Sequence, residues 1–79
     1  MGVKVKVFGL LVRSFPEYDR DRGMEIDLPD NATVKDLLAF LKISKAETGI
    51  VMVNGLAQEE GKKLKEGSLV YVFHAISGG

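Results

Sequence analysis

From Val3 to Phe8 the chain reads Val-Lys-Val-Lys-Val-Phe, a strict two-residue alternation. That period belongs to a half-buried strand, with Val3, Val5 and Val7 on one face and Lys4, Lys6 and Phe8 on the other. A second alternating run covers Met24 to Leu28, where Met24, Ile26 and Leu28 share a face opposite Glu25 and Asp27. Antiparallel pairing of the two runs sets lysines against carboxylates, and each such pair favours the pairing by about 0.2–1 kcal/mol. The connection from Arg13 to Gly23 is polar, contains Pro16 and reads as a long, exposed hairpin loop.

Pro29-Asp30-Asn31 breaks the second strand, and the period then changes to that of a helix. Thr33 is a natural N-cap, with Asp36 three residues on in a near capping-box arrangement. Val34, Leu37, Leu38 and Leu41 fall at i, i+3, i+4 and i+7, one apolar stripe aimed at a sheet. Phe40 lies off the stripe, and the helix should fade near Lys42 to Lys45. Ile50 to Val53 is a short apolar strand, Asn54-Gly55 a strong turn signal, and Leu56-Ala57 a brief return strand. Glu59 to Glu66 is charged and irregular, with Leu64 its one anchor into the core. Gly67-Ser68 introduces a last strand, Leu69 to Phe73, before a tail over 74–79 that is expected to be flexible. One helix cannot cover both faces of a sheet, so a single α+β domain with one open face is predicted.

The open face carries too many rings for a solvated surface. Phe8 falls on the lysine face, and the last strand is apolar on both sides: Val70 and Val72 on one, Leu69, Tyr71 and Phe73 on the other. Two readings follow. The rings cover one another beneath the lysine stems, or they form a patch around Phe8 and Phe73, extending to Leu56, that docks a partner protein. The second is the preferred expectation.

Composition narrows the chemistry. Eleven basic residues balance eleven acidic ones over 79 residues, which argues against broad nucleic-acid or anionic-membrane binding. There is no cysteine and only one histidine, so a thiolate nucleophile is excluded and a zinc or copper site is not expected. No apolar run could span a bilayer and no signal-peptide pattern is visible, so a cytoplasmic protein is expected. His74 has no serine or cysteine partner at a recognisable spacing and reads as uninvolved. Glu59-Glu60 reads as a solvated turn, Lys62-Lys63 as surface charge, and Gly49, Gly55, Gly61 and Gly67 as turn punctuation.

That leaves the end of the chain, Gly78-Gly79. Glycine lacks a Cβ, so an extended Gly-Gly threads a tunnel too narrow for other residues. A free carboxylate is a poor electrophile. Joining it to AMP neutralises its charge and supplies a leaving group that sulfide, a thiol or an amine can displace.

The segments Val3 to Phe8, Asn31 to Leu38, Val53-Asn54-Gly55, Leu64 to Gly67 and Val70 to Gly79, in this order, resemble the ubiquitin-like sulfur carriers of the ThiS/MoaD group. The resemblance implies a β-grasp fold, a mixed four- to five-stranded sheet with one main helix on one face. It implies that Gly79 carries an acyl-adenylate and then a thiocarboxylate, with Gly78 providing clearance. It further implies a carrier, not an enzyme, although one able to act as the small subunit of a molybdopterin synthase. No bound cofactor is implied, only Mg-ATP used by the activating partner. The partners would be a ubiquitin-activating-type adenylating enzyme and a sulfur-accepting synthase subunit, with Phe8, Leu56, Tyr71, Phe73 and Ile76 as contact residues. Length and the two phenylalanines lean towards the molybdopterin type, with a tungstopterin or cysteine-synthesis carrier nearly as compatible. A thiamin-thiazole carrier, or a modifier forming isopeptide bonds through Gly79, is the alternative.

Overall fold

The structure, a computed structural model, describes residues 1–76. Five strands form one mixed sheet: β1 (Gly2–Phe8), β2 (Met24–Asp27), β3 (Thr48–Val53), β4 (Leu56–Ala57) and β5 (Leu69–His74). Their order across the sheet is β2-β1-β5-β3-β4, with β1 and β5 parallel and every other neighbour antiparallel. Among the described residues a single α-helix, α1 (Val34–Phe40), lies on one face. The valines of the first alternating run are all buried, together with Val51, Val53, Val70 and Val72 from the other strands and Val34, Leu37 and Leu38 from the helix. Leu64 is buried as its lone apolar position predicts.

Helix α1 is short; packing of Val34, Leu37 and Leu38 into the core holds it, and both of its ends are capped. Thr33 and Asp36 close a full capping box: the Asp36 N–H donates to Thr33 Oγ1, and the Thr33 N–H donates to Asp36 Oδ2. The next two free helix donors are met by the charged segment that follows β4. The Val34 N–H reaches the Lys62 carbonyl and the Lys35 N–H the Glu60 carbonyl, at 2.9 and 3.0 Å. Those irregular residues are therefore a strap over the helix N-terminus, pinned by Leu64. At the other end the Ile43 N–H donates to the Leu38 carbonyl and the Lys42 N–H to the Ala39 carbonyl, a Schellman pair. Lys42 occupies the left-handed position, at φ 59°, where glycine is usual. Ile43 folds back into the core and Phe40 points outward.

Two expectations are corrected. The connection between β1 and β2 is not a purely exposed loop. It opens with a 3₁₀ segment, Gly9–Ser14, that turns Leu11 into the core. Phe15 and Tyr18 then pack against that core, and the Tyr18 hydroxyl accepts the Val7 N–H at 3.1 Å. Arg13, Ser14, Pro16, Glu17 and the Asp19-to-Arg22 stretch stay exposed, as the composition suggests. The charge pairing of β1 with β2 is also reduced. Lys4 lies opposite Glu25, but Asp27 lies opposite Gly2, and the ladder ends at Val5–Met24, short of Lys6. Gly23 sets that end: at φ 72°, a Cβ there would lie 2.7 Å from the Val5 carbonyl oxygen, so the chain can leave the strand only with glycine.

Candidate functional site

Cross-strand neighbours share a face, so the register assigns every exposed apolar side chain to a side of the sheet. On the open face one row runs Lys6, Tyr71, Met52, Ala57, and the next holds Phe8 beside Phe73. Phe8 and Phe73 stack with ring centroids 4.7 Å apart and planes 14° from parallel. Tyr71 tilts against Phe8 at 5.2 Å and 56°. All three rings are half-buried, so they shield one another in part and still present apolar surface. The mutual cover that the first reading expects is therefore partial, and an apolar patch around Phe8 and Phe73 remains at the surface.

Past the stacked pair, β3 carries a bulge between Thr48 and Val51. Gly49 sits in it, where a Cβ would lie 3.0 Å from the carbonyl oxygens of both Phe73 and His74. The missing side chain lets β3 close on the end of β5 and turns Ile50 outward, 62% exposed. The result is a shallow hollow of about 490 Å³ lined by Phe8, Gly9, Gly49, Ile50, Phe73, His74 and Ile76. Ile76 stands almost wholly exposed at its rim.

Of the residues expected to form the site, Phe8, Tyr71, Phe73 and Ile76 come together here. Leu56 does not. It pairs with the buried Val53, which puts it on the helix side of the sheet at the β4 edge, exposed but facing away from the rings. Gly78 and Gly79 lie outside the described residues. Ile50 and His74 belong to the site and were not anticipated in it. The alternation Ile50-Val51-Met52-Val53 carried a signal for Ile50, since Val51 and Val53 on the core side leave Ile50 and Met52 for the other.

His74 is the last residue of β5, one beyond the expected strand end, and pairs with Thr48. Its Nδ1 lies 2.6 Å from the Ala75 carbonyl oxygen. The Ala75 N–H donates to the Glu47 carbonyl at 2.8 Å, so strand-like bonding outlasts the strand by one residue. Glu47 is held by the adjacent turn: the Ser44 N–H and hydroxyl both donate to its Oε1, at 3.1 and 2.8 Å. Those bonds, the backbone one foremost and with attraction to His74 added, hold the Glu47 carboxyl below the usual glutamate range. Among the described residues, no group of three or more His, Asp or Glu side chains is placed to hold a metal ion.

The sequence profile of the ThiS family matches residues 5–79, nearly the whole chain. The chain belongs to the ThiS family. Solved structures agree in fold. A protein assigned as molybdopterin converting factor subunit 1 from Pyrococcus furiosus is 25% identical, with a TM-score of 0.76 over 96% of this chain and 99% of that one. SAMP1 of Haloferax volcanii, a small archaeal modifier protein, is 24% identical with a TM-score of 0.74, each chain covered completely. Subunit 1 or 2 of the molybdopterin-converting factor complex from Helicobacter pylori is 19% identical with a TM-score of 0.62, again over both whole chains. No curated protein matches the sequence significantly. The chain is thus a ubiquitin-like β-grasp protein of ThiS/MoaD type. Among the described residues, no helix is long and apolar enough to cross a membrane.

Proposed function

We propose that this ThiS-family chain is a cytoplasmic sulfur carrier working through the carboxyl group of Gly79, and that it supplies molybdopterin or tungstopterin synthesis. The observation that carries the reading is the family match running through Gly78-Gly79, on a chain whose last strand ends beside an apolar hollow. In the first step a Gly79 carboxylate oxygen attacks the α-phosphorus of Mg-ATP bound by an adenylating enzyme, and pyrophosphate leaves. Hydrosulfide then adds to the acyl carbon and AMP departs, leaving a thiocarboxylate. Gly78 keeps the backbone slim enough to enter the enzyme's tunnel. Phe8, Tyr71, Phe73, Ile50 and Ile76 form the surface that the adenylating enzyme and the accepting synthase subunit grip in turn.

The molybdopterin assignment is supported by the likeness to the Pyrococcus furiosus subunit. The likeness to SAMP1 keeps in view a modifier, in which a lysine amine displaces AMP and forms an isopeptide bond. Intact-protein mass spectrometry separates the two. The chain is incubated with its adenylating enzyme, Mg-ATP and sulfide. Exchange of one oxygen for sulfur, located at Gly79 by fragmentation, is expected. Ladders of conjugates would instead favour the modifier. Neither product, together with full cellular function of a chain lacking Gly78-Gly79, would overturn both. Rescue of a thiazole-synthesis defect but not a molybdopterin defect would move the assignment to the thiamin branch.

A further inference from the structure

The carrier reading needs the segment after β5 to reach an enzyme in one direction, and the structure holds that segment at its root. Ala75 has both of its backbone polar groups engaged, by two different partners. Its N–H donates to the Glu47 carbonyl at 2.8 Å, and its carbonyl lies 2.6 Å from His74 Nδ1. A carbonyl oxygen can only accept, so Nδ1 bears the proton of this contact. The two bonds fix the peptide planes on either side of Ala75, and with them the direction in which Ile76 departs.

The surroundings make the clamp stiff. The Glu47 carbonyl belongs to a turn closed on itself by Ser44, whose Oγ also accepts the Glu47 N–H, and by Thr48, whose hydroxyl donates to the Ser44 carbonyl. Glycine flanks His74 on both sides. A Cβ on Gly49 would crowd the His74 carbonyl at 3.0 Å, and one on Gly9, at φ 68°, would stand 3.4 Å from His74 Cβ.

We infer that His74 is a positioning residue: its Nδ1–H, acting with the Glu47 carbonyl, sets the exit direction of the C-terminal segment beside the Phe8–Phe73 hollow. This inference rests on the carrier reading for its consequence but not for its geometry. A segment whose root at Ala75 and Ile76 is already fixed loses less conformational freedom on binding the adenylating enzyme. Losing the clamp therefore raises the KM for the carrier and leaves kcat unchanged. One hydrogen bond of this kind corresponds to about a fivefold change.

Two variants test it. His74→Asn keeps an N–H donor at the same distance along the side chain, whereas His74→Leu keeps bulk without a donor. In NMR of the free protein, wild type and His74→Asn should show ordered amides at Ala75 and Ile76, and His74→Leu should lose that order at an unchanged melting temperature. Should His74→Leu fail to fold, His74→Phe takes its place. In pyrophosphate exchange with the adenylating enzyme and Mg-ATP, KM should rise about fivefold for the donorless variant only. Retained order in that variant, an Asn variant that behaves like it, or an unchanged KM would overturn the inference. If order falls as expected but even wild type is not adenylated, the carrier reading fails and the clamp stands.

Discussion

Replacing Phe73 by aspartate separates folding from docking, because the ring is half-buried and its stacking partner is known. The variant loses the Phe8–Phe73 stack, at 4.7 Å and 14°, worth about 0.5–1.5 kcal/mol beyond burial. It also loses roughly half of the ~1.5–3 kcal/mol that full burial of a phenylalanine provides, about 1 kcal/mol. The carboxylate at that position reaches water, so no buried charge is created. The sum, about 1.5–2.5 kcal/mol, compares with the roughly 4–12 kcal/mol expected for a domain of 79 residues. The variant should therefore fold, with a lower denaturant midpoint and an unchanged m-value. Its affinity for the adenylating enzyme should fall by at least tenfold, since a charge replaces an apolar contact at the centre of the patch. Guanidinium titration and calorimetric binding read the two effects independently. Loss of the native NMR dispersion would show that Phe73 belongs to the core, and native binding by a folded variant would refute the docking role.

Four further outcomes follow from the geometry. Tyr18→Phe leaves the Val7 N–H without its acceptor and should cost about 1–2 kcal/mol in chemical denaturation, much more than a truly exposed loop position would. Gly49→Ala drives a Cβ against two carbonyl oxygens that belong to β5 backbone, so a cost of about 1–3 kcal/mol and amide shift changes at Phe73 and His74 are expected. Lys42→Gly relieves a left-handed residue within a complete Schellman pair and should raise stability by about 0.5–1 kcal/mol, measurable as a higher melting temperature. Thr33 holds the Asp36 carboxyl low through its N–H first and its hydroxyl second, and Ser44 does the same for Glu47. Both folded pKa values lie below the unfolded ones, so this stabilisation is complete above the unfolded values and is lost as acid carries the pH below about 4.5. Thr33→Ala should remove part of that acid sensitivity while costing about 1 kcal/mol at neutral pH, as NMR titration of Asp36 and thermal melts at several pH values would show.

How much of this was legible in the sequence depends on whether the deciding interaction is local. The Val3–Phe8 alternation, the helix stripe and the Thr33–Asp36 box involve near neighbours, and the structure reproduces them. The 3₁₀ turn that buries Leu11 was missed because Leu10 and Leu11 continue no strand period and the polar residues after them dominate the composition. The strap over the helix could not be foreseen, since its bonds join Glu60 and Lys62 to Val34 and Lys35 across a separate hairpin. Leu56 was misplaced for a related reason. Its side follows from pairing with Val53 across Asn54-Gly55, and a reading of single strands has no register to supply.

The two-sided apolarity of β5 has its cause in topology. It is the middle strand, flanked by β1 and β3, so Val70 and Val72 complete the core while Leu69, Tyr71 and Phe73 meet the open faces of both neighbours. Because β1 and β5 are parallel, they run to the same end of the sheet, and their last open-face residues, Phe8 and Phe73, meet there. An antiparallel pairing would have placed Phe8 at the opposite end from His74. At that shared end β1 turns away at Gly9, at φ 68°, and β3 bulges at Gly49, which leaves room for the chain leaving β5. The parallel central pair therefore brings the aromatic patch and the root of the C-terminal segment to one place, so that a single partner surface can hold the first while receiving the second.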